Sequence, residues 1–173
     1  MMILLTGGSA CGKSHYAESL CLRIEEPRYY IDAMRPNEDG GDDKLARCNR
    51  PRTGEGIKII ERCTDLAGLV LPERGTALLE CICNLTANEM FDERGAQTDP
   101  CDAVLLGVDT LSRQCDTLVV VTNDVGSDNK AYSAGTRAYV RALGRINAAL
   151  AGKADAVYEM VCGIPVVIKG ELL

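Results

Sequence analysis

Residues 7–14 read GGSACGKS and follow the apolar run MMILLT at the start of the chain. Gly7, Gly12, Lys13 and Ser14 satisfy the pattern G-x-x-x-x-G-K-[ST] in full. The flanking sequence has the order that this pattern requires, because the apolar letters before it predict a buried strand and helical spacing begins after it. The stretch therefore predicts a strand, a phosphate-binding loop and a helix in succession.

This loop supplies the chemistry that a nucleoside triphosphate needs. Its glycines let backbone N–H groups turn toward phosphate oxygens, and the helix N-terminus adds positive potential. We expect Lys13 to reach the β and γ phosphates as a catalytic residue, and the Ser14 hydroxyl to ligate Mg²⁺. The predicted nucleotide-binding residues are the whole loop: Gly7, Gly8, Ser9, Ala10, Cys11, Gly12, Lys13 and Ser14.

Composition narrows the possible functions. The 173 residues predict one domain over 1–173, and a net charge of −6 argues against binding to nucleic acid or to an anionic membrane. No apolar run approaches the roughly 20 residues of a membrane span, so we expect no span and a cytoplasmic location. The nine cysteines form no C-x-x-C pair, which predicts buried, reduced thiols rather than disulfides.

Apolar strand candidates alternate with helical spacing along most of the chain. This order predicts an α/β fold like that of the P-loop NTPases, with a mostly parallel sheet, helices on both faces and a C-terminal antiparallel hairpin around Gly163. The predicted strands are 2–6, 29–31, 57–60, 76–81, 117–122, 156–161 and 165–169. The predicted helices are 13–23, 44–50, 84–92, 102–115 and 136–151, with a helical turn or two over 65–71.

Three carboxylates follow apolar strand candidates. Glu80 ends ALLE, Asp32 ends YYID and Asp124 follows VVVTN. Ligands of α/β proteins bind at the carboxyl ends of the strands, so Glu80 is the predicted second Mg²⁺ ligand and catalytic carboxylate. Glu80 and Asp32 also have a purely structural interpretation as strand-end carboxylates, and Asn123 and Asp124 could either contact substrate or form an Asx turn.

Four segments carry a family resemblance: GGSACGKS, LLECICNLTAN at 78–88, VVVTNDVG at 119–126 and the tail at 137–170. In order and spacing, over nearly the whole chain, they resemble the adenosylcobinamide kinase/adenosylcobinamide-phosphate guanylyltransferase family of cobalamin assembly. The resemblance implies a P-loop fold, a homotrimer and corrinoid and nucleoside triphosphate substrates. It implies phosphorylation of the aminopropanol hydroxyl of adenosylcobinamide with ATP or GTP, and then GMP transfer through a guanylylated histidine.

The resemblance also implies further nucleotide contacts. They fall on Asp32, Ala33 and Met34 after the second strand, and on Glu61 and Glu80. A carboxylate at either glutamate position could accept hydrogen bonds from guanine, which favours GTP over ATP without deciding between them. Later in the chain, Asp124 stands where the family prefers Glu. A ligand role and a packing or surface role remain open for Arg137, Gly144, Arg145 and Asn147.

Two segments depart from the family pattern. The family's Arg-x-x-x-His, which ends in the nucleophile, corresponds to Arg47 through Pro51, and the chain's one histidine is His15. We therefore expect kinase chemistry to be retained and guanylyl transfer to be lost. The run SDNKA at 127–131 also differs, which leaves the acceptor open. The alternatives are a non-catalytic or regulatory nucleotide-binding paralogue and a kinase for another small alcohol.

Overall fold

A computed structural model describes residues 1–24, 26–35, 56–125 and 131–173. The strands in these ranges are β1 (Met2–Thr6), β2 (Arg28–Asp32), β3 (Ile57–Glu61), β4 (Thr76–Glu80), β5 (Thr117–Val121), β6 (Ala156–Val161) and β7 (Ile164–Lys169). The α-helices are α1 (Lys13–Leu22), α2 (Ile82–Phe91), α3 (Pro100–Gln114) and α4 (Ala134–Lys153). The predicted helix at 44–50 lies outside the described residues.

One sheet contains all seven of these strands, in the order β3-β2-β4-β5-β1-β6-β7. Its neighbours are parallel from β3 to β6, and β7 runs antiparallel to β6. The central strands β1 and β5 are almost wholly buried, as expected for apolar strands covered on both faces. The predicted α/β P-loop fold with a C-terminal hairpin is confirmed.

The direction of the crossovers places the helices on both faces. The connection from β1 to β2 moves along the strand order toward the β3 edge of the sheet. The connections from β4 to β5 and from β5 to β6 move in the opposite direction, toward the β7 edge. Right-handed crossovers in opposite directions cover opposite faces. Accordingly, α1 packs against β1, β4 and β5, and α2, α3 and α4 pack against one another. The core lies on both sides of the central strands.

Side-chain caps set two helix starts earlier than the apolar spacing predicted. The Asp99 carboxylate accepts a hydrogen bond from the N–H of Asp102, and Pro100 fits the first helical position, where its missing N–H costs nothing. The Ser133 hydroxyl accepts from the N–H of Thr136 at 3.1 Å. The segment between the predicted helices 84–92 and 102–115 is therefore shorter at its end than the sequence predicted.

The prediction of a helical turn or two over 65–71 was too long. The structure forms only a short 3₁₀ turn, Leu66–Gly68, in which Asp65 accepts from the N–H of Gly68 at 3.2 Å. Leu69 is already extended, so the helix does not continue. The spacing of apolar residues could not distinguish one helical turn from two, because a buried Leu66 is compatible with both lengths.

The cysteines that the structure describes are all free, and Cys162 is exposed. Cys21, Cys81, Cys83, Cys101 and Cys115 are buried, as the sequence predicted for reduced thiols. Across the described ranges, no helix has the length and apolar character needed to cross a membrane.

Candidate nucleotide site

A cavity of about 480 Å³ opens at the carboxyl edge of the parallel strands. Its walls come from the phosphate loop, from the first turn of α1 and from the residues that end or follow β2, β4 and β5. The lining residues are Ser9, Ala10, Cys11, Gly12, Lys13, Ser14, His15, Tyr30, Asp32, Met34, Glu80, Cys81, Asn84, Val121 and Asn123. The fold thus brings most of the predicted site residues into one cavity.

The phosphate loop depends on glycine at two positions. Gly7 has φ +136° and Gly12 has φ +95°, both in the region that side chains disfavour. A Cβ on Gly7 would lie 2.7 Å from the carbonyl oxygen of Met160, and one on Gly12 would lie 3.2 Å from Gly163 Cα. The hairpin at β6 and β7 therefore packs directly beneath the loop, where the N–H of Gly163 donates to Cys11 O at 2.9 Å.

Lys13 lies at the centre of this loop. It is buried, and its ammonium donates to the carbonyl of Gly7 at 3.0 Å and to that of Gly8. The Sγ of Cys11 lies 3.5 Å from the same nitrogen. The carbonyls of Gly7 and Gly8 thus hold the Lys13 ammonium within the phosphate loop. In this position it lies beside the N–H groups that would bind phosphate oxygens.

Ser14, Glu80 and Tyr30 form a hydrogen-bonded chain across the cavity. The Ser14 hydroxyl donates to Glu80 Oε1, and the Tyr30 hydroxyl donates to Glu80 Oε2 at 2.7 Å. Tyr30 is fully buried, so its hydroxyl fixes the second carboxylate oxygen from inside the sheet. Both oxygens of Glu80 are therefore oriented by hydroxyl groups.

The end of β2 forms the cavity wall beside Glu80. The Asp32 carboxylate is buried and accepts from the N–H of Met34 at 2.9 Å, and both residues line the cavity. Ala33 does not line it. Its N–H donates to Glu80 O at 2.9 Å, and its carbonyl accepts from Asn88 Nδ2 at 2.8 Å. Ala33 thus ties β2 to β4 and α2 at the edge of the cavity.

Several predicted residues lie outside the cavity lining. Glu61 is exposed at the end of β3, four strand spacings from β1, or about 19 Å at 4.8 Å per spacing. Asp124 is exposed and its N–H donates to Gly7 O at 3.2 Å, which fastens the turn after β5 to the phosphate loop. Arg137 and Arg145 are exposed on α4. His15, by contrast, belongs to the cavity lining and is exposed.

A polar network joins α4 and α2 to the turn after β5. Thr122 Oγ1 donates to Asn147 Oδ1 at 2.7 Å, and Asn147 Nδ2 donates to Asn123 O at 3.2 Å. The N–H of Asn123 donates to Cys83 Sγ at 3.3 Å. Hydrogen bonds to Cys83, first from Cys81 and then from Asn123, Thr122 and Tyr139, outweigh burial and lower the pKa of its thiol to about 6.

Tyr30 and Asn84 are polar lining residues that sequence reasoning missed, whereas it allowed a substrate contact by Asn123. Tyr30 was assigned to a strand without a role. Asn84 lies in the first turn of α2, four residues after Glu80, and this position near a predicted carboxylate was a usable signal. The segments with Pro51 and with residues 127–130 lie outside the described residues.

Comparisons with known proteins agree with this geometry. The profile of the family described as cobinamide kinase / cobinamide phosphate guanyltransferase matches residues 3–168. The chain belongs to this family. It is 31% identical over 186 residues to the bifunctional adenosylcobalamin biosynthesis protein CobU of Escherichia coli (strain K12), covering 98% of this chain and 100% of that protein. It is 30% identical, with the same coverage, to the protein of that name from Salmonella typhimurium.

A more distant likeness concerns the fold alone. A solved structure of a Pyrococcus horikoshii OT3 protein superposes with a TM-score of 0.57 at 8% sequence identity. It covers 99% of this chain and 87% of the other. The family therefore rests on the profile and on the CobU relatives, and through them the chain is a transferase-type nucleotide-binding protein of adenosylcobalamin biosynthesis.

Proposed function

We propose that this chain phosphorylates the aminopropanol hydroxyl of adenosylcobinamide with a nucleoside triphosphate. The observation that carries the proposal is the grouping of Lys13, Ser14 and Glu80 in one cavity of the phosphate loop. The two CobU relatives are named as bifunctional, and their family description includes a cobinamide kinase. Phosphoryl transfer needs positioning and charge neutralisation more than a covalent protein group, and these residues supply both.

The loop and Lys13 would hold the triphosphate in line with the acceptor alcohol. As the alcohol oxygen attacks the γ-phosphorus and releases its proton to solvent, the bond from that phosphorus to its bridging oxygen breaks and the nucleoside diphosphate leaves. Negative charge spreads over the transferred group in the transition state. Lys13 is placed to neutralise that charge, because its ammonium lies on the loop among carbonyls rather than on a carboxylate. Burial of Lys13 strengthens this interaction by excluding water.

The residues present fit a magnesium ion bound with the nucleotide. Ser14 Oγ and Glu80 Oε1 are in direct hydrogen-bond contact, so two oxygen ligands already converge beside the loop. Mg²⁺ in nucleotide sites is commonly held by one or two protein oxygens together with phosphate and water, and these two side chains meet that requirement. Ser14 would ligate Mg²⁺ directly and Glu80 through water, and the ion would neutralise charge on the β and γ phosphates.

A labelled-phosphate assay tests the kinase proposal. We expect transfer from γ-labelled ATP or GTP to cobinamide by the wild type, a loss of at least about 100-fold in Lys13→Ala and a comparable loss in Glu80→Gln. Nucleotide binding without transfer to cobinamide or to any small alcohol would instead support the non-catalytic paralogue. Transfer to another alcohol but not to cobinamide would identify a different acceptor.

We further infer that guanylyl transfer through a covalent histidine is lost. The family nucleophile corresponds to Pro51, and the single histidine of the chain, His15, is exposed on the first turn of α1. Incubation with α-labelled GTP followed by a denaturing gel should give no labelled protein. A labelled band in the wild type would contradict the inference, and its loss in His15→Ala would assign the activity to His15.

The structure reduces the number of carboxylates that could distinguish GTP from ATP. Glu80 is committed to Ser14 and Tyr30, which leaves Glu61 as the predicted carboxylate for guanine. Thermal-shift titration with each nucleotide and Mg²⁺ measures the preference. A larger shift with GTP in the wild type that falls to the ATP value in Glu61→Gln would support this role, and equal shifts in the wild type would remove it.

The homotrimer implied by the family resemblance also has a candidate surface. Strand β7 forms one edge of the sheet, and its Ile164 and Ile168 side chains are 65% and 61% exposed. Val166 and Val167 are exposed as well. Exposed apolar side chains on an edge strand favour contact with another protein surface. We propose that β7 contributes to contacts between subunits.

A further inference from the structure

The sheet order places β5 between the two strands that carry the phosphate-site residues. β5 pairs with β4 on one side and with β1 on the other. β4 ends at Glu80, and β1 leads into the loop that contains Lys13. At a spacing of about 4.8 Å per strand, the residues after β5 emerge in the gap of about 10 Å between these two strands. Asn123 is the second residue after β5.

The backbone of this turn is held from both sides. The N–H of Thr122 donates to Leu5 O at 2.9 Å, which extends the pairing with β1. For Asn123, the N–H donates to Cys83 Sγ and the carbonyl accepts from Asn147 Nδ2. Since both main-chain polar groups of Asn123 are engaged, the starting point of its side chain is fixed relative to α2 and α4.

The side chain is the part of Asn123 that remains available to the cavity. It lines the same cavity as Lys13 and Glu80, and within the described ranges its amide forms no hydrogen bond. An Asx turn, the structural interpretation from sequence, would engage that amide with backbone two residues on. An asparagine amide offers two N–H donors and one carbonyl acceptor. It can therefore contact a phosphoryl oxygen without adding charge.

From these observations, and on the basis of the kinase proposed above, we infer that Asn123 is a catalytic residue that donates a hydrogen bond to the phosphoryl group being transferred. Its place between Lys13 and Glu80 is where the terminal phosphate of a triphosphate on the loop would meet the acceptor. A hydrogen-bond donor there, in addition to Lys13, would stabilise the charge that spreads over three oxygens in the transition state.

The same geometry makes Asn147 a positioning residue. Its two amide ends are both used, one accepting from the buried Thr122 hydroxyl and the other donating to the carbonyl of Asn123. Both amide atoms of Asn147 are thus engaged within the protein. The sequence left Asn147 open between packing and a ligand role, and the contacts assign it to holding Asn123.

The test compares affinities for a nucleoside diphosphate and for its non-hydrolysable imido-triphosphate analogue by calorimetry with Mg²⁺. We expect Asn123→Ala to weaken analogue binding about 10-fold and diphosphate binding less than about 2-fold, since only the analogue carries the terminal phosphate. Asn147→Asp, which can still accept from Thr122 but cannot donate to Asn123, should lower the analogue affinity in the same direction by about 3-fold. Ser112→Ala, on α3 beside Met1 and Met2, is the control.

Catalysis provides the second measurement. If the wild type phosphorylates cobinamide, Asn123→Ala should lower kcat by about 100-fold and change KM for the alcohol by less than about 3-fold. An unchanged ratio of analogue to diphosphate affinity in Asn123→Ala would overturn the inference. If the wild type binds both nucleotides but transfers no phosphate, the kinase proposal fails, while the affinity ratio still decides the role of Asn123.

Discussion

The Tyr30 hydroxyl donates a 2.7 Å hydrogen bond to Glu80 Oε2, while the other carboxylate oxygen accepts from Ser14. Tyr30 belongs to β2 and Glu80 ends β4, and the two strands are neighbours in the sheet. The sheet itself therefore orients the carboxylate that we propose to act with Mg²⁺. A buried hydroxyl serves this purpose because it cannot turn toward water.

Replacing Tyr30 by Phe tests this contact. We expect the free energy of unfolding to fall by about 1–3 kcal/mol, because a buried hydrogen bond to a carboxylate is removed. Kinase activity should fall about 10-fold and require more Mg²⁺. The matched control is Tyr29→Phe, since Tyr29 is equally buried and its hydroxyl has no hydrogen-bond partner among the described residues. Urea unfolding measures the loss of stability, and Mg²⁺ titration of kinase activity measures the loss of function. Equal losses in Tyr30→Phe and Tyr29→Phe would contradict the role of Tyr30.

Two glycine substitutions test whether the backbone of the phosphate loop is fixed by its packing on the hairpin. Gly7→Ala places a Cβ 2.7 Å from Met160 O at φ +136°, so we expect a loss of about 1–3 kcal/mol in unfolding free energy and of nucleotide binding. In Gly8→Ala the Cβ meets nothing within 4 Å, and stability should change by less than about 0.5 kcal/mol. Urea unfolding compares the two. Equal stability would show that the loop shifts freely away from the hairpin.

The thiol of Cys83 predicts a pH dependence of stability. Its pKa is lowered from 9.0 to about 6, chiefly by hydrogen bonding with Cys81, so the folded state binds fewer protons than the unfolded state between these values. The contribution of the Cys83 thiolate to the free energy of unfolding is therefore absent below pH 6 and grows as the pH rises toward 9. We expect the stability of the wild type relative to Cys83→Ser to increase from pH 6 to pH 8.5.

Urea unfolding at both pH values measures this difference, and absorbance at the thiolate band follows the ionisation directly. Cys21→Ser is the control, because burial raises the pKa of Cys21 to about 12 and keeps it neutral throughout the range. A difference between wild type and Cys83→Ser that stays constant with pH would contradict the thiolate.

The sequence predicted the two ends of the site but not what lies between them. The phosphate loop and Glu80 were predictable because each depends on a local pattern, a spaced motif and a charge at the end of an apolar run. Tyr29 and Tyr30, by contrast, are adjacent letters in the same apolar strand. Only the pairing of β2 with β4 decides which hydroxyl meets Glu80, and strand pairing is not a local property.

The same limit applies to Asn123 and Cys83. Cys83 was predicted as a small buried hydrophobe, and it is buried. Its lowered pKa comes first from Cys81, two residues away, and then from donors such as Asn123 and Tyr139, which are distant in sequence and arrive only with β5 and α4. Likewise, the place of Asn123 between Lys13 and Glu80 follows from the insertion of β5 between β1 and β4. The alternation of strands and helices predicts the fold class but not that order.

The exposed β7 strand carries the last prediction, which concerns assembly. Ile168 is 61% exposed on the sheet edge, and a charge there would have to be desolvated in any interface that buries it. We expect the 18.6 kDa chain to run as a trimer by light scattering, and Ile168→Glu to shift it to a monomer with its circular dichroism unchanged. Leu106→Glu is the control, since Leu106 is similarly exposed but lies on α3. A monomeric wild type would contradict the trimer, and a trimeric Ile168→Glu variant would place the subunit contact away from β7.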